Sequence, residues 1–211
     1  MGMHEAQSRF FENIIGRSRA FARPLLETMQ QHFKGQLSRV TPGQLYMAAN
    51  VVKPSLIRTE ADELTYPLHI LVRYDIEQML MSGEAKASDV PRLWKQLYKD
   101  YLGVDVPDYT HGALQDTHWA FGGLGYFPTY ALGNAYGAQL RHQMLAEGID
   151  IDGACAAGDL FPIREWLRTR IWTYGRSKDA QELIQDACGE PFSAQYYVDY
   201  LTEKFSAIYQ L

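Results

Sequence analysis

The chain has 211 residues, of which 46% are hydrophobic and 21% charged, and its formal net charge at pH 7 is −5. This composition is typical of a globular protein that buries one core, and we expect a single domain over residues 1–211. The acidic balance argues against nucleic acid or a membrane as the main partner, and no apolar run is long enough to span a bilayer. No secretory signal is visible, so we expect a cytoplasmic protein in which Cys155 and Cys188 are free thiols.

The first predicted element is helical and covers residues 4–33, where apolar residues recur at helical spacing. Glu5, Arg9 and Asn13 form a separate polar stripe on this helix. Pro24 lacks a backbone N–H and clashes with the preceding turn, so it predicts a kink or a break into two helices.

Residues 55–83 are predicted to form a long helix that is capped by Ser55 and bent at Pro67. One face would carry four polar residues spaced i, i+4, i+7 and i+11, namely Arg58, Asp62, Thr65 and His69. Two interpretations are open for this stripe. It is a solvated face with an ion pair, or, since the segment has no lysine and many large apolar residues, Arg58 is partly buried and suits a substrate carboxylate.

Further helices are predicted near residues 41–51, 88–102, 128–147, 161–174, 178–188 and 193–210. Their predicted N-caps are Thr41, Ser177 and Ser193, and their predicted C-terminal stops are Gly103 and Gly189. No run of alternating residues demands a sheet, and no repeat or linker is visible. The sequence therefore predicts an all-α protein with six to eight helices in one domain.

Polar clusters at residues 3–9, 57–62 and 112–119 interrupt this apolar helical pattern. They supply the histidines, carboxylates, glutamines and arginines of a buried metal-hydrolase site, although no His-Glu-x-x-His helix is present to hold zinc. The pair His4-Glu5 has two interpretations. It is a solvated pair, or Glu5 lies beside the core and needs a cation or a metal as partner.

The third cluster, residues 112–119, contains Gln115, Asp116 and His118. Two interpretations are open for this cluster. Either its polar side chains only satisfy one another's hydrogen bonds at a loop–helix junction, or the cluster is functional and Asp116 fixes the tautomer of a histidine. The glycines in residues 122–125 would let tyrosines approach the same place, but no strand precedes them, so they do not indicate a nucleotide loop. Three other histidines are predicted to lie at the surface, namely His32, His111 and His142.

In this order and spacing, the three clusters resemble the Taq-type zinc metallocarboxypeptidases. That family has a His-Glu-(Ser/Gly)-Gln motif, then Ile-Arg-x-x-Ala-Asp, then Gly-x-x-Gln-Asp-x-His-Trp. The second and third motifs stand at residues 57–62 and 112–119 without a mismatch, and the first stands at residues 4–7 with Ala6 in its third position. Residues 125–134 and the final aromatic helix are also family-like, so the resemblance covers essentially the whole chain.

The resemblance implies a role for several of these residues. Glu5 would be the third protein ligand of a catalytic zinc ion, which is otherwise held by two histidines. The remaining implied roles are substrate binding by Arg58 and Gln115, hydrogen bonds to the oxyanion of the tetrahedral intermediate from His118 and Tyr126 or Tyr130, and support of these groups by Asp62 and Asp116.

The upstream half of the family carries His-Pro-Phe, Asp-x-Arg-x-Thr and His-Glu-x-x-His motifs, and none of them occurs in this sequence. We therefore expect the C-terminal half of a gluzincin-type metallocarboxypeptidase, which acts on peptide C-termini when complete and is inactive alone. The alternative is a non-catalytic helical interaction module or one piece of a split enzyme. A homo-oligomer, most simply a dimer, is expected to cover an exposed apolar wall that includes Phe10, Phe11 and residues 119–130.

Overall fold

A computed structural model describes residues 1–211, and every regular element in it is helical. The α-helices are α1 (Gly2–Arg9), α2 (Ala22–His32), α3 (Pro42–Ala49), α4 (Tyr66–Ser82), α5 (Val90–Leu102), α6 (Pro128–Ala146), α7 (Ile151–Ala157), α8 (Phe161–Arg170), α9 (Ala180–Cys188) and α10 (Gln195–Tyr209). The predicted all-α class is confirmed, but the predicted six to eight helices are too few, because ten are present. None of these helices is long and apolar enough to cross a membrane.

Contacts within the chain divide it into two compact units. The first unit consists of Met1–Asn50 and Leu132–Leu211, and the second consists of Val51–Ala131. The expectation of a single domain over residues 1–211 stays a prediction.

The main hydrophobic core of the first unit is built from α1, the π-helical segment that follows it and α6 to α10. α6 approaches α1 closely at Gly133, where a Cβ atom would lie 2.7 Å from the backbone carbonyl carbon of Glu5. Only glycine therefore fits at this point of the helix contact. Beside it, Asn134 accepts a hydrogen bond of 2.9 Å from Nε of Arg9, which fixes the register of α1 on α6.

The N-terminal helix differs from its prediction in two respects. α1 continues directly into a π-helical segment at Phe10–Gly16, and the chain then turns before α2 begins at Ala22. The break therefore lies upstream of Pro24, which sits in the first turn of α2, where a missing N–H costs no intrahelical bond. Phe10 is only 1% exposed, so its predicted place in an exposed apolar wall is wrong.

The second unit packs α4 against α5 through buried aliphatic and aromatic side chains, with Val72, Ile76, Trp94 and Tyr98 at the centre. The predicted helix over residues 55–83 is wrong in its first half, since α4 begins at Tyr66 and only a short 3₁₀ turn forms before it, at Arg58–Glu60. Two local causes explain this. Asp62 accepts the backbone N–H groups that follow it, and Pro67 stands in the first turn of α4, where it favours a helix start over a bend.

Helix ends agree with the sequence where a single residue decides them. Thr41 and Gln44 form the capping box of α3, while Gly103 and Gly189 end α5 and α9 in the left-handed conformation. Ser177 does not cap α9, because Asp179 accepts the N–H groups of its first turn. Ser55 and Ser193 are not the N-caps either, since Thr65 precedes α4 and Ala194 precedes α10. The short helix α7 was not predicted.

Candidate functional site

The centre of the second unit is a carboxylate held between two arginines. Nη2 and Nε of Arg58 lie 2.6 Å and 3.1 Å from Oδ1 of Asp116, and Nε of Arg73 lies 2.7 Å from Oδ2. The side chain of Arg73 is fully buried, and those of Arg58 and Asp116 are only 7% and 8% exposed. Two guanidinium groups thus share one carboxylate, which joins the loop containing Asp116 to the segment before α4 and to α4 itself.

Charge and burial act in opposite directions on these groups. Burial by itself would lower the pKa of Arg58, but the hydrogen bonds that Arg58 donates to Asp116 and Tyr66, together with the charge interactions with both residues, outweigh it, so the pKa of Arg58 is raised. Burial would raise the pKa of Asp116, yet the two arginines hold it below its usual value. Arg58 and Asp116 are therefore both ionised at neutral pH.

Both polar groups of the Gln115 side-chain amide are hydrogen-bonded to other parts of the chain. Its carbonyl oxygen accepts from the backbone N–H of Arg58 and from Nη2 of Arg73, each at 2.9 Å. Its NH₂ group donates to the carbonyl oxygens of Leu56 and His111 at 3.0 Å and 3.1 Å. No donor or acceptor remains for a ligand, so the geometry argues against the predicted substrate contact and gives Gln115 the role of holding the loop.

His118 lies next to this ion cluster and is surrounded by aromatic rings. Its Nε2 is 3.1 Å from the hydroxyl of Tyr130, and the ring of Tyr126 is 5.6 Å away, centroid to centroid. Its Nδ1 is 3.9 Å from Oδ1 of Asp116, which is too long for the predicted orienting hydrogen bond. The guanidinium of Arg58 also lies 5.0 Å from the ring centroid of Tyr130. An imidazole, a phenol and a guanidinium therefore meet at one place.

The four polar residues of the predicted stripe do not share one helical face. Asp62 accepts the hydroxyl of Thr65 at 2.7 Å and the backbone N–H of Lys53 at 3.0 Å, so it shapes the turn before α4. His69 is fully buried within α4, with Nδ1 3.0 Å from the hydroxyl of Tyr98. Burial and the neighbouring arginines lower the pKa of His69 to about 3, so the imidazole is neutral.

The structure brings Arg58, Asp116, His118 and Tyr130 together, as the motifs predicted. It also adds Arg73, which sequence reasoning missed. The sequence did contain a signal for it. Arg73 follows His69 by four residues, so the two side chains lie on the same face of α4, and the whole helix contains no lysine. His32, His111 and His142 are exposed, which confirms their predicted surface positions.

The first unit holds the predicted zinc ligand Glu5 in α1, with its side chain 10% exposed. Its Oε2 accepts from the hydroxyl of Ser8 at 3.0 Å, an arrangement that suits an oriented carboxylate ligand. His4 points elsewhere, since its side chain is 75% exposed and its Nδ1 is 4.0 Å from Oε1 of Glu5. No three histidine, cysteine, aspartate or glutamate side chains gather as a metal site, so these residues do not fit a complete zinc centre.

Comparison with known proteins places the chain within one family. The family model described as carboxypeptidase Taq (M32) metallopeptidase matches residues 1–205. Carboxypeptidase 1 of Bacillus subtilis is 44% identical over 211 residues, and thermostable carboxypeptidase 1 of Pyrococcus furiosus is 40% identical over 205 residues. The M32 carboxypeptidase of Deinococcus radiodurans superposes with a TM-score of 0.93 at 38% identity, over 100% of this chain.

The matched region is only part of each relative. The chain spans 42% of the length of the Bacillus subtilis protein, 41% of the Pyrococcus furiosus protein and 42% of the Deinococcus radiodurans chain.

Proposed function

We propose, because this chain belongs to the carboxypeptidase Taq (M32) metallopeptidase family, that it supplies part of the site of a metal-dependent carboxypeptidase, an enzyme that removes C-terminal amino acids from peptides. The observation that carries the proposal is the buried arrangement in which Asp116 holds Arg58 beside the hydrogen-bonded pair His118 and Tyr130. A cation beside an imidazole and a phenol suits a substrate with a carboxylate next to the bond that is cleaved.

Each group has a distinct task in this proposal. Arg58 attracts the terminal carboxylate of the peptide through the N–H groups that Asp116 and Tyr66 leave available. The hydrogen-bonded pair His118 and Tyr130 donates a hydrogen bond to the carbonyl oxygen of the scissile peptide as negative charge develops on it. Tyr126 lies 5.4 Å from Tyr130, ring centroid to ring centroid, and is the second candidate for this donor.

Catalysis by the chain alone is limited by the number of metal ligands that it carries. A catalytic zinc ion needs three protein ligands, and the family resemblance assigns one of them, Glu5, to this sequence. We therefore expect the purified chain with added zinc or cobalt to release no amino acid from an N-blocked dipeptide. Release above background that is abolished by a chelator and by Glu5→Ala would refute this.

Complementation tests the positive half of the proposal. The part of Bacillus subtilis carboxypeptidase 1 that this chain does not match is co-expressed with the chain, and the same hydrolysis is measured. Activity should appear only when both polypeptides are present, and Arg58→Gln should raise KM because it weakens binding of the terminal carboxylate. An active mixture in which Arg58→Gln changes nothing would contradict the role given to this arginine.

A second candidate function is an interaction module that binds another copy of the chain. The observation in its favour is a group of exposed apolar side chains in one loop region: Leu114 is 72% exposed, Phe121 68% and Leu124 48%. Sedimentation at low micromolar concentration should show a dimer, and the double substitution Phe121→Ser and Leu124→Ser should shift it towards monomer. A clean monomer of the unmodified chain would count against this candidate.

A further inference from the structure

Glu77 is a buried carboxylate on α4 that plays no part in the ion cluster around Asp116. Its Oε1 accepts a hydrogen bond of 2.7 Å from the indole N–H of Trp119, and its Oε2 accepts one of 3.1 Å from the backbone N–H of Gly125. The side chain lies in the interior, since the residue is only 4% exposed. One carboxylate therefore binds both ends of the loop formed by residues 119–125.

Besides these two bonds, the loop is held by local backbone hydrogen bonds and by the ring of Trp119, which packs edge-on against Trp94 and Phe127. Apart from the short 3₁₀ turn Trp119–Phe121 it has no regular structure, and Gly122 and Gly125 adopt φ values of 80° and 75°. Its middle projects Phe121 and Leu124 into solvent. Because glycines leave the backbone a large conformational freedom, the observed loop shape depends on fixed points outside it.

The two neighbours of the loop are residues of the proposed site. His118 precedes Trp119 directly, and Tyr126 follows Gly125 directly. Within the turn, the backbone N–H of Gly123 donates to the backbone carbonyl oxygen of His118 at 2.7 Å, so the loop is tied to the main chain that carries the imidazole. A group that holds both Trp119 and Gly125 therefore sets the distance between the two side chains.

We propose that Glu77 is a positioning residue that holds His118 and Tyr126 in place by clamping the loop between them. This inference rests on the proposed function only in so far as those two residues act on substrate. The clamp requires two acceptor atoms directed at two donors, which a carboxylate provides and an amide does not. In Glu77→Gln one donor must face the NH₂ group, so one end of the loop is released.

The test uses nuclear magnetic resonance on the 211-residue chain. In Glu77→Gln we expect amide exchange at Gly125 to accelerate about tenfold or more, with shifts of the Trp119 indole and the His118 ring resonances. The matched control is Asp75→Asn, which also removes one acidic group from α4 but whose carboxylate accepts from the exposed hydroxyl of Tyr101. The control should leave all three signals unchanged.

A second variant covers the case in which Glu77→Gln does not fold. Trp119→Phe removes the indole hydrogen bond together with part of the ring that packs on Trp94 and Phe127, but it keeps the carboxylate and its bond to Gly125, so His118 should shift while Gly125 exchange changes less. Unchanged His118 resonances in a folded variant of either kind would overturn the clamp.

Complementation with the Bacillus subtilis segment separates this inference from the proposed function. Loss of kcat with a nearly constant KM in Glu77→Gln, together with the spectral changes, supports both. Spectral changes without loss of activity would leave the clamp in place as a feature of the loop but refute catalysis by His118 and Tyr126. Loss of activity without spectral changes at His118 would overturn the positioning role.

Discussion

The substitution Asp116→Asn isolates the negative charge at the centre of the second unit. Asparagine has nearly the same size as aspartate and keeps one carbonyl acceptor, but it removes the charge that two buried guanidinium groups share. Nη2 of Arg58 and Nη2 of Arg73 each lie 2.6 Å from this carboxylate. Removing one partner of a buried ion pair costs about 3–5 kcal/mol, because the remaining charge stays in a medium that solvates it poorly. Here two cations remain, and they repel each other.

We therefore expect Asp116→Asn to lower the free energy of unfolding by about 3–5 kcal/mol, as measured by urea denaturation followed by circular dichroism. The matched control is Asp105→Asn. Its salt bridge to Lys99 has a similar length, 2.8 Å, but the aspartate side chain is 85% exposed. An exposed pair of this kind contributes about 0–1 kcal/mol, so the control should stay close to the unmodified chain.

Equal losses of unfolding free energy in Asp116→Asn and Asp105→Asn would contradict a buried ion cluster at Asp116. A loss below about 1 kcal/mol for Asp116→Asn would mean that Arg58 and Arg73 reach water or another anion without difficulty. In that case the buried cluster could not hold Arg58 in a fixed position, and the site proposal would lose its main support.

Two further predictions concern stability. His69 has a pKa of about 3 in the folded chain against 6.5 ordinarily, so it stabilises the fold above pH 6.5 and this contribution is lost as pH falls towards 3. Between about pH 7.5 and pH 5, this contribution to the free energy of unfolding should fall by about 2 kcal/mol in urea titrations. His69→Gln should remove that part of the pH dependence. The same pH dependence in both proteins would contradict a neutral His69. Gly133→Ala should destabilise by about 1–3 kcal/mol, because its Cβ would lie 2.7 Å from the backbone of Glu5. Gly43→Ala in α3, where no atom lies within 4 Å of the added Cβ, should be neutral or stabilising, and equal effects of the two alanines in thermal melts would refute the close contact.

The sequence predicted helix ends well where one residue with a strong local preference decides them. Thr41 and Gly103 act through their own hydrogen bonds or backbone angles, so their neighbours in space matter little. The segment before α4 was predicted wrongly for the opposite reason. Its apolar spacing suits a helix, but Asp62 binds the backbone N–H groups ahead of Pro67 and prevents that helix from starting earlier.

The candidate site was likewise predicted only in part. The motifs predicted that Arg58, Asp116 and His118 lie together, and they do, although the helical stripe offered as one reason does not exist. Spacing along the chain could not show that Arg73 takes the other oxygen of Asp116, since the two residues are 43 positions apart. Nor could it show that Gln115 has no capacity left for a substrate, which depends on partners from three separate segments.

The most direct test of the whole account is the zinc content of the complemented protein. The chain and the unmatched part of Bacillus subtilis carboxypeptidase 1 are co-purified, dialysed against zinc and analysed by mass spectrometry for metal, with each polypeptide alone as reference. We predict that the mixture retains zinc and hydrolyses an N-blocked dipeptide, that the chain alone does neither, and that Glu5→Gln in the mixture loses both. Zinc and activity that survive Glu5→Gln, or that the chain shows by itself, would contradict the account.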